Sequence, residues 1–183
     1  MVGVDISQRF VEIAARSGSD GAAFLRADAR ALPVTTAFDA AISLCQGAFG
    51  LGGPGPAAEA LAPDRAILAE MARVTKPGGL VALTAFSSYF QVRFLEEADR
   101  FDAATGVNHE TTVVRDEEGV ETSHDLWTTC FTPRELRLLA ADVGLSVRDV
   151  WSVTPGRYSR RPADVESPEF LMVAGVPERR ARW

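Results

Sequence analysis

The sequence predicts an α/β protein built on a doubly wound sheet. Two apolar runs, the nearly continuous "FDAAISLC" and "LVALTAF", have strand length and suit parallel strands covered on both faces. A helical pattern precedes the second run, and the unit of helix, "KPGG" and strand is typical of a crossover between parallel strands. The chain has 183 residues, of which 46% are hydrophobic and 24% charged, so it fits one globular domain.

The first predicted elements are a strand, a helix and a second strand. "VGVD" is a short strand ending at Asp5, and Ser7 follows at a helix N-cap position. The helix ends at Gly18, and its apolar residues recur at helical spacing: Phe10, Val11, Ile13 and Ala14. "GAAFLRAD" is a second short strand, which ends at Asp28.

The next third of the chain predicts a strand, a long loop, a helix and a strand. "FDAAISLC" is followed by "QGAFGLGGPGPAAEALAP", a loop of a length that is uncommon unless it is functional or disordered. "DRAILAEMARVT" is a helix with Asp64 as its expected N-cap, and "KPGG" ends it. "LVALTAF" then completes the crossover.

An inserted hairpin is predicted at about residues 105–131. "VNHETTVVRDEEGVETSHDLWTTCF" alternates in polarity around a charged turn that contains a glycine.

The segment "TPREL" predicts a helix start. Thr132 is the N-cap, Pro133 is the first helical residue, and Glu135 completes a capping box. This helix ends at Gly144, and two strands follow, "LSVRDVWSV" and "PEFLMVAGV". A loop over about residues 154–167 joins them as a hairpin connection, which predicts an antiparallel last strand.

Charge and cysteine content exclude several classes of protein. The net charge of -6 argues against a general binder of nucleic acid or anionic membranes, which needs a basic surface. Cys45 and Cys130 form no CxxC motif and have no metal-ligand spacing with histidine, so we expect neither a metal site nor a disulfide framework. No run approaches the ~18 apolar residues of a membrane helix. We therefore expect a cytoplasmic protein.

Four stretches together resemble the class I S-adenosylmethionine-dependent methyltransferases, in particular their small-molecule branch. They are "VGVDIS", "LRADARALP", "FDAAISLCQGAFG" and "ILAEMARVTKPGGLVALTAF". The ending "CFTPRELRLLAADVGLSVRDVWSV" also matches the usual late helix and strand of the family. The resemblance implies a Rossmann-like doubly wound sheet with an antiparallel last strand, here with an inserted hairpin.

The resemblance also implies S-adenosylmethionine as cofactor and a set of residues around it. Asp5 would bind the ribose hydroxyls, since a carboxylate makes short, strong hydrogen bonds to such donors. Asp28 would accept from the adenine amino group, and the backbone of Ala29 would meet a ring nitrogen. The complete set of expected cofactor-binding residues is Asp5, Ile6, Asp28, Ala29, Leu44, Cys45 and Gln46, of which the last three would lie beneath the sulfonium.

Each of these roles has a structural alternative. Asp5 stands before a capped helix, where a carboxylate favours the helix dipole. Asp28 is equally suited to capping a turn. Cys45 is expected to be a small buried residue near the site rather than a nucleophile.

The methyl acceptor would be bound by the loop after the third predicted strand and by the hairpin. The polar and aromatic candidates there are Phe49, Tyr89, His109, His124 and Trp127. Either histidine could serve as a general base for a hydroxyl or amine. Alternatively, the histidines are surface residues with no catalytic role, and Trp127 belongs to the hydrophobic core. We assign no catalytic residue.

The family pattern begins with a strand and a glycine-rich loop, whereas this chain begins with the family's second strand. We therefore expect residues 1–183 to form a single, N-terminally incomplete domain with two unpaired sheet edges, which favour pairing with other chains. A truncated sequence, a strand supplied by a partner in a homodimer, and a decayed paralogue all fit this pattern. We expect residues 1–183 alone to bind the cofactor weakly or not at all.

The predicted function is methyl transfer to an oxygen or nitrogen of a small-molecule acceptor, with little activity in the short chain. We expect no nucleic-acid or membrane partner. A nicotinamide-dependent oxidoreductase could use Asp5 in the same way, but the sequence contains no Tyr-x-x-x-Lys pair. A non-catalytic interaction module derived from a methyltransferase is the second alternative.

Overall fold

The computed structural model describes residues 1–18, 20–35, 38–45, 47–53, 55, 59–115 and 118–178. The helices in these ranges are α1 (Gln8–Ser17), α2 (Ala62–Val74), α3 (Ser88–Arg93) and α4 (Pro133–Asp142). The strands are β1 (Val2–Asp5), β2 (Ala23–Arg26), β3 (Phe38–Ser43), β4 (Thr75–Ser87), β5 (Arg100–Asp102), β6 (Val107–Arg115), β7 (Glu121–Phe131), β8 (Ser146–Thr154), β9 (Arg157–Arg161) and β10 (Glu169–Gly175).

The strands form two sheets. β1 and β2 pair in parallel as a two-stranded sheet, and the others follow the order β5-β6-β7-β4-β10-β8-β9, with β3 paired in parallel to β4. β10 runs antiparallel to both β4 and β8. The α/β fold, its parallel crossover and its antiparallel last strand are therefore confirmed.

A cavity separates the two sheets. Among the described strands, β1 pairs with β2 alone and β3 with β4 alone. Their open edges border a cavity of about 600 Å³, which we call the β1–β3 cavity and which is largely apolar. Val4 and Ile42 line it from the two strands, and Met71 lines it from α2. The open edges expected from the sequence are present in the described part of the chain.

The hydrophobic core lies on one face of the large sheet. Leu83 of β4 and Met172 of β10 point into it, and both are fully buried. Leu68 of α2 and Leu136 of α4 cover this face. Because side chains alternate between the two faces of a strand, the apolar residues at every second position of β4 and β10 enter the same core.

The apolar face of α1 is less buried than its sequence pattern predicts. Phe10 is 60% exposed and Ile13 is 39% exposed, and no residue of α1 is buried. The buried core contains no described residue of α1, β1 or β2. The apolar face of α1 therefore has only the two-stranded sheet to pack against. The spacing of its apolar residues predicted the helix correctly but not how far the helix is buried.

Asp64 does not cap α2, so that prediction is wrong. The helix begins at Ala62, and Leu61 at its N-cap makes no side-chain hydrogen bond to the helix. Asp64 lies in the first turn, is completely buried, and accepts a hydrogen bond from the Gly50 N–H at 2.6 Å. The helix does end before "KPGG" as predicted, but these residues already belong to β4.

The predicted hairpin is present as the antiparallel pair β6–β7. Two strands were missed. β5 has three residues, and β9 lies inside the segment predicted as a loop. All five residues of β9 are exposed. A strand held by backbone pairing to β8, without an apolar face, leaves no periodic signal in the sequence.

The capping box of α4 is formed as predicted. Thr132 Oγ1 accepts from the Glu135 N–H at 3.3 Å, and the Glu135 carboxylate accepts from the Thr132 N–H at 2.6 Å.

We expect Thr132→Ala to lower the free energy of unfolding by about 1 kcal/mol, because one helix N–H loses its acceptor. Urea denaturation measures this loss. Thr132→Ser retains the hydroxyl, and an equal loss in that variant would contradict the capping explanation.

Candidate functional site

Asp5 and Asp28 follow neighbouring parallel strands at the same sheet edge. Asp5 ends β1 and lies opposite Arg26, the last residue of β2. The Ala27 N–H donates to the Asp5 carbonyl oxygen at 3.0 Å, so Asp28 comes directly after this paired end. The carboxyl ends of parallel strands are where open α/β sheets bind ligands.

The Asp5 carboxylate is fixed at the start of α1. Its Oδ1 accepts a hydrogen bond from the Ser7 N–H at 2.7 Å, and Ser7 in turn caps the helix by accepting from the Phe10 N–H. Ile6 between them is 65% exposed, and its carbonyl oxygen accepts from Arg26 Nε at 3.1 Å. Asp5 therefore has both features expected of it: its carboxylate lies at the start of a helix, and the residue lies at the sheet edge where ligands bind.

Asp28 is engaged by Arg30. The guanidinium donates to both carboxylate oxygens, with Nη2 at 2.6 Å from Oδ2, and the Arg30 N–H donates to Oδ1 at 2.8 Å. These bonds, the side-chain bonds first, lower the pKa of Asp28, so the carboxylate is ionised at neutral pH. An adenine amino group could bind here only by sharing oxygens that Arg30 already contacts.

Ala29 and Leu44 border the same cavity. Both line the β1–β3 cavity, Ala29 from the turn after β2 and Leu44 from the end of β3. Two residues predicted separately as cofactor contacts are thus brought to the same cavity. Gln46, the third residue predicted beneath the sulfonium, lies outside the described residues.

Cys45 has a constrained backbone at the end of β3. Its φ of 51° is the one positive φ of a non-glycine residue among those the structure describes. The Cys45 N–H donates to Thr84 Oγ1 on β4 at 2.9 Å, which holds this conformation. Residues held in such conformations cluster at functional sites. Cys45 is also exposed, so the expectation of a buried cysteine is wrong.

Tyr158 reaches Cys45 from the far end of the chain. Its hydroxyl oxygen lies 2.8 Å from the Cys45 sulfur. The hydrogen bond with Cys45 is the main cause that raises the pKa of Tyr158. The sequence did not predict a role for Tyr158. Its strand β9 was predicted as a loop, and a single tyrosine among arginines matches no motif.

The aromatic acceptor candidates have different surroundings. Phe49 is completely buried and stacks on Phe131 with ring centroids 4.9 Å apart, which is a packing role. Tyr89 is 41% exposed and lines a second cavity of about 600 Å³, between α3, the β5–β6 connection and the start of α4. Its ring edge meets Phe170 at a centroid distance of 6.3 Å.

The hairpin places His109 against a carboxylate and an aromatic ring. His109 Nε2 lies 3.0 Å from Asp125 Oδ1, and the imidazole stacks on Trp127 at 4.6 Å. The bond to His109, followed by one from Thr111, lowers the pKa of Asp125. A histidine that a carboxylate orients is an arrangement suited to general-base catalysis. His124 is exposed and one residue from Asp125, so its side chain faces the other side of the hairpin.

The described residues form neither a metal site nor a membrane-spanning helix. No group of three His, Cys, Asp or Glu side chains lies close enough together to hold a metal ion. No helix in these ranges is long and apolar enough to cross a membrane.

Comparison with known families and structures shows what this chain is similar to. Residues 1–83 match the family model described as a methyltransferase domain. No curated protein matches the chain.

Several solved structures share the fold. The CcbJ methyltransferase from Streptomyces caelestis has a TM-score of 0.75 at 16% identity, covering 96% of this chain and 74% of that one. An amino pentose methyltransferase from Micromonospora echinaspora with S-adenosylmethionine bound has a TM-score of 0.61 at 21% identity, covering 96% and 73%. A sugar N-methyltransferase from Streptoalloteichus has a TM-score of 0.61 at 19% identity, covering 97% and 71%. The family resemblance seen in the sequence is confirmed: residues 1–83 match a methyltransferase domain, and the described residues share the fold of solved S-adenosylmethionine-dependent methyltransferases.

Proposed function

We propose that this domain transfers a methyl group from S-adenosylmethionine to an oxygen or nitrogen of a small molecule. The observation that carries the proposal is the position of Asp5, Asp28 and the constrained Cys45 at the carboxyl ends of β1, β2 and β3, with Ala29 and Leu44 lining one cavity. The methyltransferase-domain match covers all of these residues.

The residues present suit the adenosine part of the cofactor. Asp5, at the end of β1, is proposed to accept from the ribose hydroxyls. The backbone of Ala29 is proposed to meet a ring nitrogen of the base, and Leu44 to lie beneath the sulfonium. The bound cofactor supplies a methyl group already activated by its sulfonium. The chain's own residues therefore need chiefly to bind and orient the two reactants.

The acceptor is proposed to be a small amine or alcohol. Two of the structurally similar proteins are named as methyltransferases of an amino pentose and of a sugar nitrogen. The net charge of -6 disfavours a nucleic-acid acceptor, since phosphate backbones bind to basic surfaces. His109, oriented by Asp125, is the proposed base for an acceptor that must lose a proton.

We expect residues 1–183 to bind S-adenosylmethionine with an affinity weaker than about 10 µM, or about 7 kcal/mol. The described edges of β1 and β3 are unpaired and leave the β1–β3 cavity between them, so bound cofactor would be poorly enclosed. NMR-monitored titration measures weak affinities of this kind. Micromolar or tighter binding would contradict this expectation without contradicting the proposed function.

The function itself is tested by titrating the chain with S-adenosylmethionine and with NAD⁺, and by measuring S-adenosylhomocysteine formation with candidate amines and alcohols. Selective binding of S-adenosylmethionine supports the proposal, whereas selective binding of NAD⁺ would favour an oxidoreductase. Binding of neither would favour an interaction module. Light scattering tests the proposed homodimer through the open edges of β1 and β3.

A further inference from the structure

A tyrosine from the C-terminal part of the chain lies where the proposed function places methyl transfer. Tyr158 Oη lies 2.8 Å from Cys45 Sγ, just beyond the carboxyl end of β3. We propose that Tyr158 binds the methyl acceptor, its hydroxyl contacting the oxygen or nitrogen that receives the methyl group. This inference rests on the proposed function and adds to it a residue outside the matched segment 1–83.

The Cys45 end of this contact is held in place. Its backbone has a φ of 51°, and its N–H is bonded to the hydroxyl of Thr84, a completely buried residue of β4. The sulfur therefore has a defined position relative to the central strand of the sheet. A partner that meets it is positioned relative to β4 as well.

The Tyr158 end is anchored while its hydroxyl stays accessible. β9 pairs with β8 through Ser152 and Thr154. The Arg160 guanidinium lies 5.3 Å from the ring centroid of Trp151 on β8, so side-chain packing adds to the backbone pairing. Tyr158 itself is 40% exposed. A small molecule can therefore approach its hydroxyl from solvent, while the strand behind it is held to the sheet.

The charges around Tyr158 indicate the class of acceptor. The hydrogen bond with Cys45, with burial and the nearby charge of Glu169 adding to it, raises the pKa of Tyr158. The phenol is therefore protonated at neutral pH and can both donate and accept a hydrogen bond. Glu169 is 2% exposed at the start of β10, and its negative charge disfavours an anionic ligand. An amine or a hydroxyl fits these surroundings, and a carboxylate does not.

The contact can be measured without knowing the acceptor, because the chain has only two cysteines. Cys130 is buried, and burial raises its pKa to about 12, so a thiol reagent at neutral pH modifies the exposed Cys45. We expect Tyr158→Phe to change the rate of Cys45 labelling roughly three- to tenfold, the range for loss of one hydrogen bond. Ser159→Ala removes a hydroxyl from the neighbouring position of β9 and should leave the rate unchanged. An unchanged rate in Tyr158→Phe would overturn the inference.

The acceptor role is tested with ethanolamine, glucosamine and N-acetylglucosamine as probes. For the probe that is methylated, we expect Tyr158→Phe to raise KM roughly three- to tenfold and to leave the Kd for S-adenosylmethionine within about twofold. An unchanged KM, or an equal loss of cofactor affinity, would overturn the inference. If none of the probes is methylated, a probe that binds beside Tyr158 should slow Cys45 labelling in the unsubstituted chain but not in Tyr158→Phe. Labelling that no probe slows would overturn the inference. If instead the proposed function is wrong, S-adenosylmethionine does not bind. The difference in Cys45 labelling between Tyr158→Phe and the unsubstituted chain would still be observed.

Discussion

Replacing Asp5 by asparagine is expected to weaken S-adenosylmethionine binding about ten- to hundredfold. Hydrogen bonds to a charged acceptor contribute about 1.5–3 kcal/mol each, and asparagine lacks the charge. The variant should still fold, because the asparagine Oδ1 can accept the Ser7 N–H that Asp5 accepts at 2.7 Å. NMR-monitored titration follows the change over the weak range expected for this chain.

Glu12→Gln is the matched control for this experiment. Glu12 lies on α1, where its Oε1 accepts from Gln8 Nε2, and the substitution removes the same charge away from the ends of the strands. Its affinity for the cofactor should equal that of the unsubstituted chain. Equal losses in the two variants would show that Asp5 acts only through net charge, and no loss in Asp5→Asn would leave it as a helix-start residue.

The parts of the site that the sequence predicted are those determined by local pattern. Strands β1, β2 and β3 are short apolar runs, and the residue that follows each run is fixed by counting along the chain. Asp5, Asp28 and Leu44 could therefore be placed at strand ends before any tertiary contact was known. The parallel pairing of β1 with β2 and of β3 with β4 then brings these ends to sheet edges.

The parts that the sequence did not predict depend on contacts between distant segments. Tyr158 meets Cys45 across 113 residues, through a strand that backbone pairing holds and that has no apolar face. The burial of the apolar face of α1 depends on which elements pack against it, and the helical spacing of its apolar residues does not predict this. The hydrogen bonds from Arg30 to Asp28 depend on the conformation of a long side chain, which a local sequence pattern does not determine.

Asp64 shows the same limit for a buried charge. Its place at the start of a helix indicated a cap, a role that needs only local geometry. The structure instead buries the side chain against the loop after β3, where it accepts from the Gly50 N–H. Burial raises its pKa from 3.8 to about 6, partly offset by that hydrogen bond. The consequence is a measurable dependence of stability on pH.

Asp64 is expected to make the protein less stable as the pH rises from about 4 to 6. In this window the folded state holds a proton on Asp64 that the unfolded state has lost, so the free energy of unfolding falls with increasing pH. Between pH 4.5 and pH 7.5 the contribution is about 2 kcal/mol, from the linkage of the two pKa values. Urea denaturation across this range measures it.

Acids with lowered pKa values act in the opposite direction, so the Asp64 contribution must be isolated by substitution. Asp28, Asp102 and Asp125 are examples, since each stabilises the folded state above its unfolded pKa and loses that effect on acidification. Asp64→Asn retains an oxygen for the Gly50 N–H but cannot titrate. The difference between this variant and the unsubstituted chain should therefore change by about 2 kcal/mol over the range.

Asp142→Asn separates burial from charge in this experiment. Asp142 is exposed and pairs with Arg65, and surface pairs of this kind contribute little to stability. This variant should follow the pH profile of the unsubstituted chain, while Asp64→Asn departs from it. Parallel profiles for Asp64→Asn and the unsubstituted chain would mean that Asp64 titrates near 3.8 in the folded state. Water would then reach its carboxylate, and the loop at Gly50 would be open where the structure has it closed.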